Sequence, residues 1–248
     1  MKTHDDAVLY GRHPVLELLR GGARRVEEIL ILGAGRGPAL SEILGLASSR
    51  SVKVSYRTRE QLTAIAGSPH HQGVLARVAE AGYAVLEDLL AVPAQRGEPA
   101  FFLALDQVQD PQNLGALLRT AEAVGADGVV IPKHRAAGLT GGTAKAAMGA
   151  IEFLRVARET NLVGALEELK KQGVWVIGSV VRDGTILWEV DLRGPICLVL
   201  GGEGQGLRPL VARTCDVLVT LPMRGRVGSL NVAAAGAVFC YEVLRQRG

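Results

Sequence analysis

The 248-residue sequence lacks the features that mark membrane and secreted proteins. No apolar run reaches the roughly 18 residues that a membrane-spanning helix needs. The N-terminal stretch MKTHDDAVLY carries acidic residues early and has no apolar segment of a signal peptide. Only three cysteines are present, Cys197, Cys215 and Cys240, and none has CxxC spacing. We therefore expect buried free thiols in a reducing, cytoplasmic compartment.

Signatures of several enzyme classes are also missing. The five histidines lack ligand-like spacing with Cys or Asp, so no metal is expected. The sequence contains no GxSxG nucleophile motif, no GxxxxGK[ST] phosphate loop and no GxGxxG dinucleotide fingerprint. Nucleophilic chemistry and metal chemistry therefore have no visible residues to carry them.

Positive charge is concentrated in the first third of the chain. The formal net charge is +3. Residues 1–78 carry eleven Lys and Arg against seven Asp and Glu, whereas residues 79–248 carry seventeen against eighteen. This asymmetry fits a polyanion-binding module joined to a more neutral domain, with an ordinary solvated surface as the alternative.

Residues 8–78 are predicted to form a small α/β unit. Helical periodicity marks the stretches HPVLELLRGG, GPALSEILGLASSR and REQLTAIAG, and strand patterns mark VEEILILG, VKVSY and GVLARV. Residues 79–99 begin at a glycine break and end in polar residues rich in Pro and Gly. We expect them to form a linker with room for one short helix.

From Ala100 onward, apolar strands alternate with helices. The predicted strands are FFLAL, DGVVIP, VWVIGSV, ICLVL and VLVTLPM, and the clearest helices are PQNLGALLRTAEAVG and NLVGALEELKKQG. Continuous apolar strands in this order predict a parallel sheet with helices on both faces. The pattern alone indicates an ordinary doubly wound sheet, because true knots are nearly absent among folds.

Three segments leave a strand and become polar or rich in glycine, as ligand-binding loops of parallel sheets do. They are LDQVQDPQNLGALLRT, LVLGGEGQGL and LPMRGRVGSLNVAAAGAVFCYEVL. In the second, four glycines let the backbone approach a ligand, and Glu203 among them can hold an amine, a ribose or an arginine. In the first, Arg119 lies in a largely apolar helix. It is either a snorkelling surface residue or a partner of a carboxylate or phosphate.

The three segments, in this order and at these intervals, resemble the motifs of the SpoU/TrmH class of RNA ribose 2′-O-methyltransferases in the SPOUT superfamily. The first motif matches as Asn113 and Arg119 with five residues between them, the second as LGGEGQGL and the third as LPMRGRVGSLNVAAAGAVFCYE. The stretches YGRHPVLELL and HHQGVLARV resemble the small RNA-binding domain of one branch. The resemblance covers nearly the whole chain and is closest to the bacterial enzymes that methylate guanosine in 23S ribosomal RNA.

The resemblance implies an RNA-binding domain at residues 1–78, a linker at 79–99 and a catalytic domain at 100–248. The catalytic domain is expected to be an α/β fold whose parallel sheet ends in a deep trefoil knot. S-adenosylmethionine is the implied cofactor, converted to S-adenosylhomocysteine, and no metal is implied. The residues expected to bind it are Gly178, Leu200, Gly201, Leu221, Met223, Ser229 and Leu230.

The implied catalytic residues are Asn113, Arg119, Glu203, Ser229 and Asn231. Arg119 matches an arginine often taken as the family's base. Because a guanidinium stays protonated in proteins, we favour a role in positioning phosphate and stabilising the developing alkoxide. Asn113 and Asn231 would orient Arg119 and the ribose. Ser229 would cap the last helix and contact the ligand.

The implied partners are a ribosomal RNA stem and a second copy of the chain, with no membrane. The small residues from Ala233 to Ala237 would let the last helices of two subunits approach closely. Three alternatives stay open. The same chemistry could act on transfer RNA or another ribosomal site, the sheet could carry a nucleotide-dependent oxidoreductase, or the chain could be an inactive RNA-binding relative. One departure from the pattern is NVAAAGA, which lacks a Ser or Thr after NV.

Overall fold

Two separate β-sheets organise the protein in a computed structural model that describes residues 7–21, 25–33, 37–79 and 82–248. Each sheet belongs to its own structural unit. The first unit takes its described residues from the span up to Gly82 and from Leu139–Phe153. The second unit comprises Tyr83–Gly138 and Leu154–Gly248. Gly22, part of the predicted stop of the first helix, lies outside the described residues.

The sheet of the first unit has four strands. In spatial order they are β1 (Ala7–Tyr10), β4 (Val74–Val78), β2 (Val26–Leu32) and β3 (Lys53–Arg57). Strand β4 runs antiparallel to both β1 and β2, while β2 and β3 are parallel. The structure confirms the three predicted strands and adds β1, which the sequence pattern did not reveal.

Helices cover both faces of this sheet. They are α1 (Arg12–Gly21), α2 (Pro38–Ser49) and α3 (Arg59–Ala66), with α6 (Gly141–Ala147) and a 3₁₀ turn at Ala150–Glu152 also in the first unit. Side chains alternate along a strand, so Ile29 and Ile31 pack with the apolar residues of α1 and α2. Leu30 instead packs with Leu62 of α3. A capping box between Thr58 and Gln61 begins α3.

The sheet of the second unit has seven strands, and every neighbouring pair is parallel. In spatial order they are β7 (Val156–Glu159), β6 (Gly128–Pro132), β5 (Phe101–Asp106), β10 (Ile196–Gly201), β8 (Trp175–Ser179), β11 (Val217–Thr220) and β9 (Thr185–Ile186). The predicted parallel sheet is therefore confirmed. Strands β7 and β9 were not predicted, because VARE and TI are too short and too polar to show a strand pattern.

One face of this sheet carries α4 (Leu86–Arg96), α7 (Leu162–Lys171) and α8 (Pro209–Thr214). Helix α4 forms within the segment predicted as a linker, and its Leu86 and Leu89 are buried in the core of the second unit. A 3₁₀ turn at Leu187–Glu189 follows β9. None of the described helices is long and apolar enough to cross a membrane.

The other face carries α5 (Pro111–Ala123) and α9 (Val232–Arg247), which pack against each other and against β6 and β10. Gly236 of α9 makes this close approach possible. A Cβ at this position would overlap the Cδ2 atom of Leu117 and lie 2.8 Å from the Cδ1 atom of Leu200. Both leucine side chains are buried, so an added methyl group would force packed atoms to shift.

The three cysteines are free. Cys197 and Cys240 are buried, as predicted, whereas Cys215 is only partly buried. Burial raises the pKa of the Cys215 and Cys240 thiols to about 12, so both are protonated and unreactive near neutral pH.

We predict opposite effects for two helical glycine-to-alanine substitutions. Gly236→Ala should lower the free energy of unfolding by about 1–3 kcal/mol, because the added methyl group overpacks the α5–α9 contact. Gly45→Ala in α2 meets no atom within 4 Å. It should raise the free energy of unfolding by up to about 1 kcal/mol through helix propensity. Urea denaturation of the full chain measures both, and equal stabilisation by the two variants would contradict this packing.

Candidate active site

A glycine loop follows β10 and turns back tightly on itself. A Cβ at Gly201 would overlap the backbone of Gly206, and a Cβ at Gly202 would overlap the carbonyl of Gln107. Gly204 and Gly206 adopt φ angles of +83° and +64°, which favour glycine. The loop therefore needs glycine both for its close backbone contacts and for its conformation.

Asp106, at the end of β5, fixes the position of this loop. Its side chain is fully buried. Its Oδ2 accepts a hydrogen bond from the backbone N–H of Arg208 at 2.8 Å, and its Oδ1 accepts one from Arg208 Nε at 2.7 Å. The Asp106 carbonyl also accepts from the N–H of Gly202 at 2.7 Å. One residue thus holds both ends of the glycine loop against β5.

Three polar side chains from the three sequence motifs meet beside the loop. Asn113 Nδ2 and Asn231 Nδ2 each donate to Glu203 Oε1, both at 2.7 Å. Asn231 Nδ2 also donates to Asn113 Oδ1 at 3.0 Å. We call these three residues the amide–carboxylate node. The node joins α5, the glycine loop and α9, whose residues are far apart in the sequence.

The two asparagines are positioned by the starts of their helices. The Asp110 side chain accepts a hydrogen bond from the Gln112 N–H at 3.0 Å, which begins α5 just before Asn113. Asn231 is itself the N-cap of α9, with its Oδ1 accepting from the N–H groups of Ala233 and Ala234 at 2.9 and 3.3 Å. Because Oδ1 is used by the cap, Nδ2 is the atom that faces Glu203.

The cap of α9 corrects the role predicted for Ser229. Helix α9 begins at Val232 and is capped by Asn231, so the expectation that Ser229 caps this helix is wrong. Ser229 lies two residues before the cap, in an exposed loop. Its hydroxyl remains available for a ligand.

Arg119 does not join the node. It is exposed on α5 and makes no hydrogen bond or ion pair within the described part of the chain. Six residues of helix place it roughly 120° around the axis from Asn113 and about 9 Å further along. The expectation that Asn113 and Asn231 orient Arg119 is therefore not met within this chain, where both asparagines bind Glu203.

A cavity of about 380 Å³ opens between the glycine loop and the loop that precedes α9. Both loops line it, together with the ends of β8, β10 and β11 and the first turns of α9. It contains six of the seven residues predicted to bind the cofactor, namely Leu200, Gly201, Leu221, Met223, Ser229 and Leu230. Glu203 of the node also lines the cavity. Apolar walls and exposed loop backbone are what a small-molecule site of this size requires.

Gly178 is the predicted residue that does not line this cavity. It lies in β8, one residue before the lining residue Ser179. A Cβ at Gly178 would lie 2.6 Å from Cys215 Sγ and 2.8 Å from Leu207 Cδ1. Its missing side chain therefore makes room for packing beneath the cavity.

The sequence patterns did not predict the role of Asp106 and Arg208. Asp106 stands directly after the buried strand FFLAL, inside the first polar segment, and this position was the available signal. Its partner lies 102 residues later in the chain, so only the fold reveals the pair. No group of three His, Cys, Asp or Glu side chains among the described residues is arranged to hold a metal ion.

A parallel sheet with a glycine-loop cavity at the carboxyl ends of its strands defines an α/β protein built to bind a nucleotide-like ligand. Two family descriptions match the chain: "SpoU rRNA Methylase family" over residues 100–241 and "RNA 2′-O ribose methyltransferase substrate binding" over residues 8–84. The chain belongs to the SpoU methylase family.

Individual proteins agree with this assignment. A Bacillus subtilis protein named as a TrmH family tRNA/rRNA methyltransferase, YacO, is 41% identical over all of this chain and 98% of its own. The 23S rRNA (guanosine-2′-O-)-methyltransferase RlmB of Ralstonia nicotianae is 42% identical over 97% of this chain and 96% of its own. The crystal structure of an AdoMet-bound rRNA methyltransferase from Sinorhizobium meliloti shares the fold. It has a TM-score of 0.78 and 24% identity over 96% of this chain and 86% of that one.

We predict that substitutions at Asp106 and Arg208 lower the free energy of unfolding by amounts that do not add. Arg208→Met should lower the free energy of unfolding by about 3 kcal/mol, because it leaves a buried carboxylate with one hydrogen bond from the backbone. Asp106→Asn should cost about 1–3 kcal/mol, because the Arg208 side chain is 43% exposed and regains water.

A double-mutant cycle by urea denaturation checks this coupling. Adding Asp106→Asn to Arg208→Met should restore part of the lost free energy of unfolding, because it removes the buried carboxylate that has no charged partner. Additive losses would show that the two side chains act independently.

Proposed function

We propose that this protein transfers a methyl group from S-adenosylmethionine to a ribose 2′-hydroxyl of RNA, in a guanosine of 23S ribosomal RNA. The observation that carries the proposal is the amide–carboxylate node, which brings the polar residues of all three motifs to the edge of one cavity. The name of the Ralstonia relative supports guanosine in 23S ribosomal RNA over transfer RNA. Family membership favours methyl transfer over a nucleotide-dependent oxidoreductase.

The cavity fits S-adenosylmethionine in size and in chemistry. Leu221, Met223 and Leu230 would hold the adenine between apolar side chains, and the backbone of the loops would bind its polar edge. Glu203 places a carboxylate on the cavity wall, where it favours a cationic ligand. Bound there, S-adenosylmethionine supplies an electrophilic methyl group on a positively charged sulfonium. Ser229 would hydrogen-bond the ligand from the opposite loop.

The amide–carboxylate node would orient the ribose. Both donated hydrogen bonds fall on Glu203 Oε1, which leaves Oε2 without a bond from either amide. A carboxylate oxygen held in this way can accept a hydrogen bond from a ribose hydroxyl. Because the node is fixed by two helix starts and by the glycine loop, little reorganisation is needed when RNA binds.

Arg119 would act on the RNA phosphate and on the charge that develops at the 2′-oxygen. Its exposed guanidinium has no carboxylate partner within the described residues, so it is available to an anion. A guanidinium stays protonated, which suits electrostatic stabilisation better than proton removal. Intact Asn113, Glu203 and Asn231 argue against an inactive relative.

A second copy of the chain is part of the proposal. Val238, Tyr241 and Leu244 leave an apolar stripe exposed along α9, at helical spacing. A stripe of this kind on a helix is suited to pairing with an identical helix. The homodimer would complete the site, since Arg119 does not reach the node within one chain.

The remaining parts of the proposal concern the rest of the chain. Residues 1–78 would bind the RNA stem, residues 79–99 would link them to the catalytic domain, and residues 100–248 would carry the reaction in the cytoplasm. The trefoil knot at the end of the catalytic domain is likewise proposed. It is supported by the two loops that line one cavity and by the return of α9 onto α5 and β10.

We predict that Arg119→Ala separates chemistry from cofactor binding. The rate of methyl transfer to ribosomal RNA should fall at least about 10²-fold, because charge at the 2′-oxygen loses its stabilising group. The dissociation constant for S-adenosylmethionine, measured by calorimetry, should stay within about twofold, because Arg119 does not line the cavity. NAD should give no binding heat in the same experiment.

Arg213→Ala is the matched control, since Arg213 is an exposed arginine of the same unit on α8. It should leave the transfer rate unchanged. Full methyl transfer by the Arg119→Ala variant would refute the role assigned to Arg119.

We predict that Tyr241→Asp converts a dimer into a monomer. A carboxylate in the centre of the α9 stripe would be buried without a partner in the dimer. Light scattering at micromolar concentration should give twice the monomer mass for the unmodified protein and the monomer mass for the variant. Leu210→Asp, at a residue of α8 that is 55% exposed, should remain dimeric. A monomeric unmodified protein would contradict the proposed assembly.

A further inference from the structure

A second cavity lies within the first unit, at the end of the sheet where β1, β2 and β3 stop and β4 begins. Its volume is about 370 Å³, within the range of about 300–1,000 Å³ typical of ligand sites. The residues that line it are Arg12, Leu32, Leu40, Arg59, Gln72, Gly73 and Val74. No acidic side chain is among them.

The turn before β4 is built to hold Arg12 in place. Gln72 adopts a φ of 54°, in the left-handed region that few non-glycine residues enter. Its Oε1 accepts a hydrogen bond from the Arg12 N–H at 3.1 Å, and its carbonyl accepts one from Arg12 Nε at 3.3 Å. The two terminal nitrogens of the guanidinium make no hydrogen bond to any described residue.

The buried side chain of His71 stabilises this turn. Its ring is buried, with Nδ1 accepting from the Gly73 N–H at 3.0 Å and Nε2 lying 3.2 Å from Thr63 Oγ1. Because Nδ1 accepts a hydrogen bond, the ring is neutral. Burial, and then the charge of Arg59, lower the pKa of His71 and keep it so. The strained turn is therefore maintained by a rigid support.

Several other cations of the first unit are held in ion pairs. Arg20 forms ion pairs with Glu17 and Glu42, and Lys53 and Arg77 both pair with Glu28. Those charges are largely neutralised by their partners. They add little to the attraction of a distant anion.

Arg12 and Arg59, in contrast, have no carboxylate partner in the described part of the chain. Glu60 follows Arg59, and its pKa is lowered first by hydrogen bonds from its own backbone N–H and from Thr58, and then by the charge of Arg59. Its carboxylate is therefore satisfied within the first turn of α3. The cavity thus presents two guanidinium groups that form no ion pair among the described residues and can bind an anion.

We propose that this cavity binds a backbone phosphate of the RNA substrate, with Arg12 and Arg59 as its ligands. Guanidinium groups form paired, charge-assisted hydrogen bonds to phosphate oxygens. Leu32 and Leu40 provide an apolar wall against which the adjoining ribose can lie. The inference rests on the proposed function only in taking RNA as the substrate, and it names the place in the first unit where the RNA is held.

The test is binding of a ribosomal RNA fragment to the full chain at several salt concentrations. Arg12→Gln and Arg59→Gln should each weaken binding about tenfold. Each should also reduce the slope of log K against log salt by about 0.7–0.9, the contribution of one phosphate contact. The matched control is Arg25→Gln. Arg25 is an exposed arginine before β2, at the opposite end of the same sheet, and its loss should change neither quantity appreciably.

Two further measurements keep the test specific. Among the described residues, the Arg59 side chain makes no hydrogen bond to the turn, so its variant tests the cavity even where Arg12→Gln disturbs Gln72. In methyl-transfer assays both variants should raise KM for RNA while leaving kcat and S-adenosylmethionine affinity unchanged. These measurements distinguish a failure of the phosphate-site proposal from a failure of the proposed function. The proposed function fails if the unmodified protein transfers no methyl group. RNA affinity and salt slope equal to those of Arg25→Gln would overturn the inference.

Discussion

A single carboxylate oxygen joins the three polar segments of the second unit. Glu203 Oε1 accepts hydrogen bonds from the side-chain amides of Asn113 and Asn231, which come from two different helices. Both amides are already oriented by the helix starts that carry them, and Glu203 Oε1 lies where the two amides meet. This interaction ties the glycine loop to α5 and α9, and its carboxylate lines the cavity that would hold the cofactor.

The glycine loop can meet this node because its backbone is constrained elsewhere. Gly201 and Gly202 press against Gly206 and Gln107 so closely that no side chain fits. Asp106 then holds both ends of the loop through Arg208 and the N–H of Gly202. Gly236 lets α9 pack closely against Leu117 and Leu200. This close packing brings Asn231, at the start of α9, to the node. Small residues at a few positions thus determine where the polar residues stand.

Local sequence patterns predicted most helices and strands correctly, whereas contacts between residues far apart in the chain could not be predicted. The continuous apolar strands and Glu203 among its glycines could be read from the local sequence, and the family resemblance implied Asn113 and Asn231. Strands β7 and β9 could not be predicted, because they are strands through their pairing within the sheet and show no apolar pattern. The Asp106–Arg208 pair spans 102 residues and has no local signal. The prediction of Ser229 as the cap of α9 is wrong because Ser and Asn both suit that position, and only the hydrogen bonds show that Asn231 occupies it.

The central claim is that this arrangement of residues methylates ribose in ribosomal RNA. Mapping of 2′-O-methylated positions in ribosomal RNA, before and after deletion of the gene, tests it most directly. The account predicts that one guanosine of 23S ribosomal RNA loses its 2′-O-methyl group, and that the full-length gene restores it while a Glu203→Ala variant does not. An unchanged pattern of ribose methylation in the deletion strain would contradict the account.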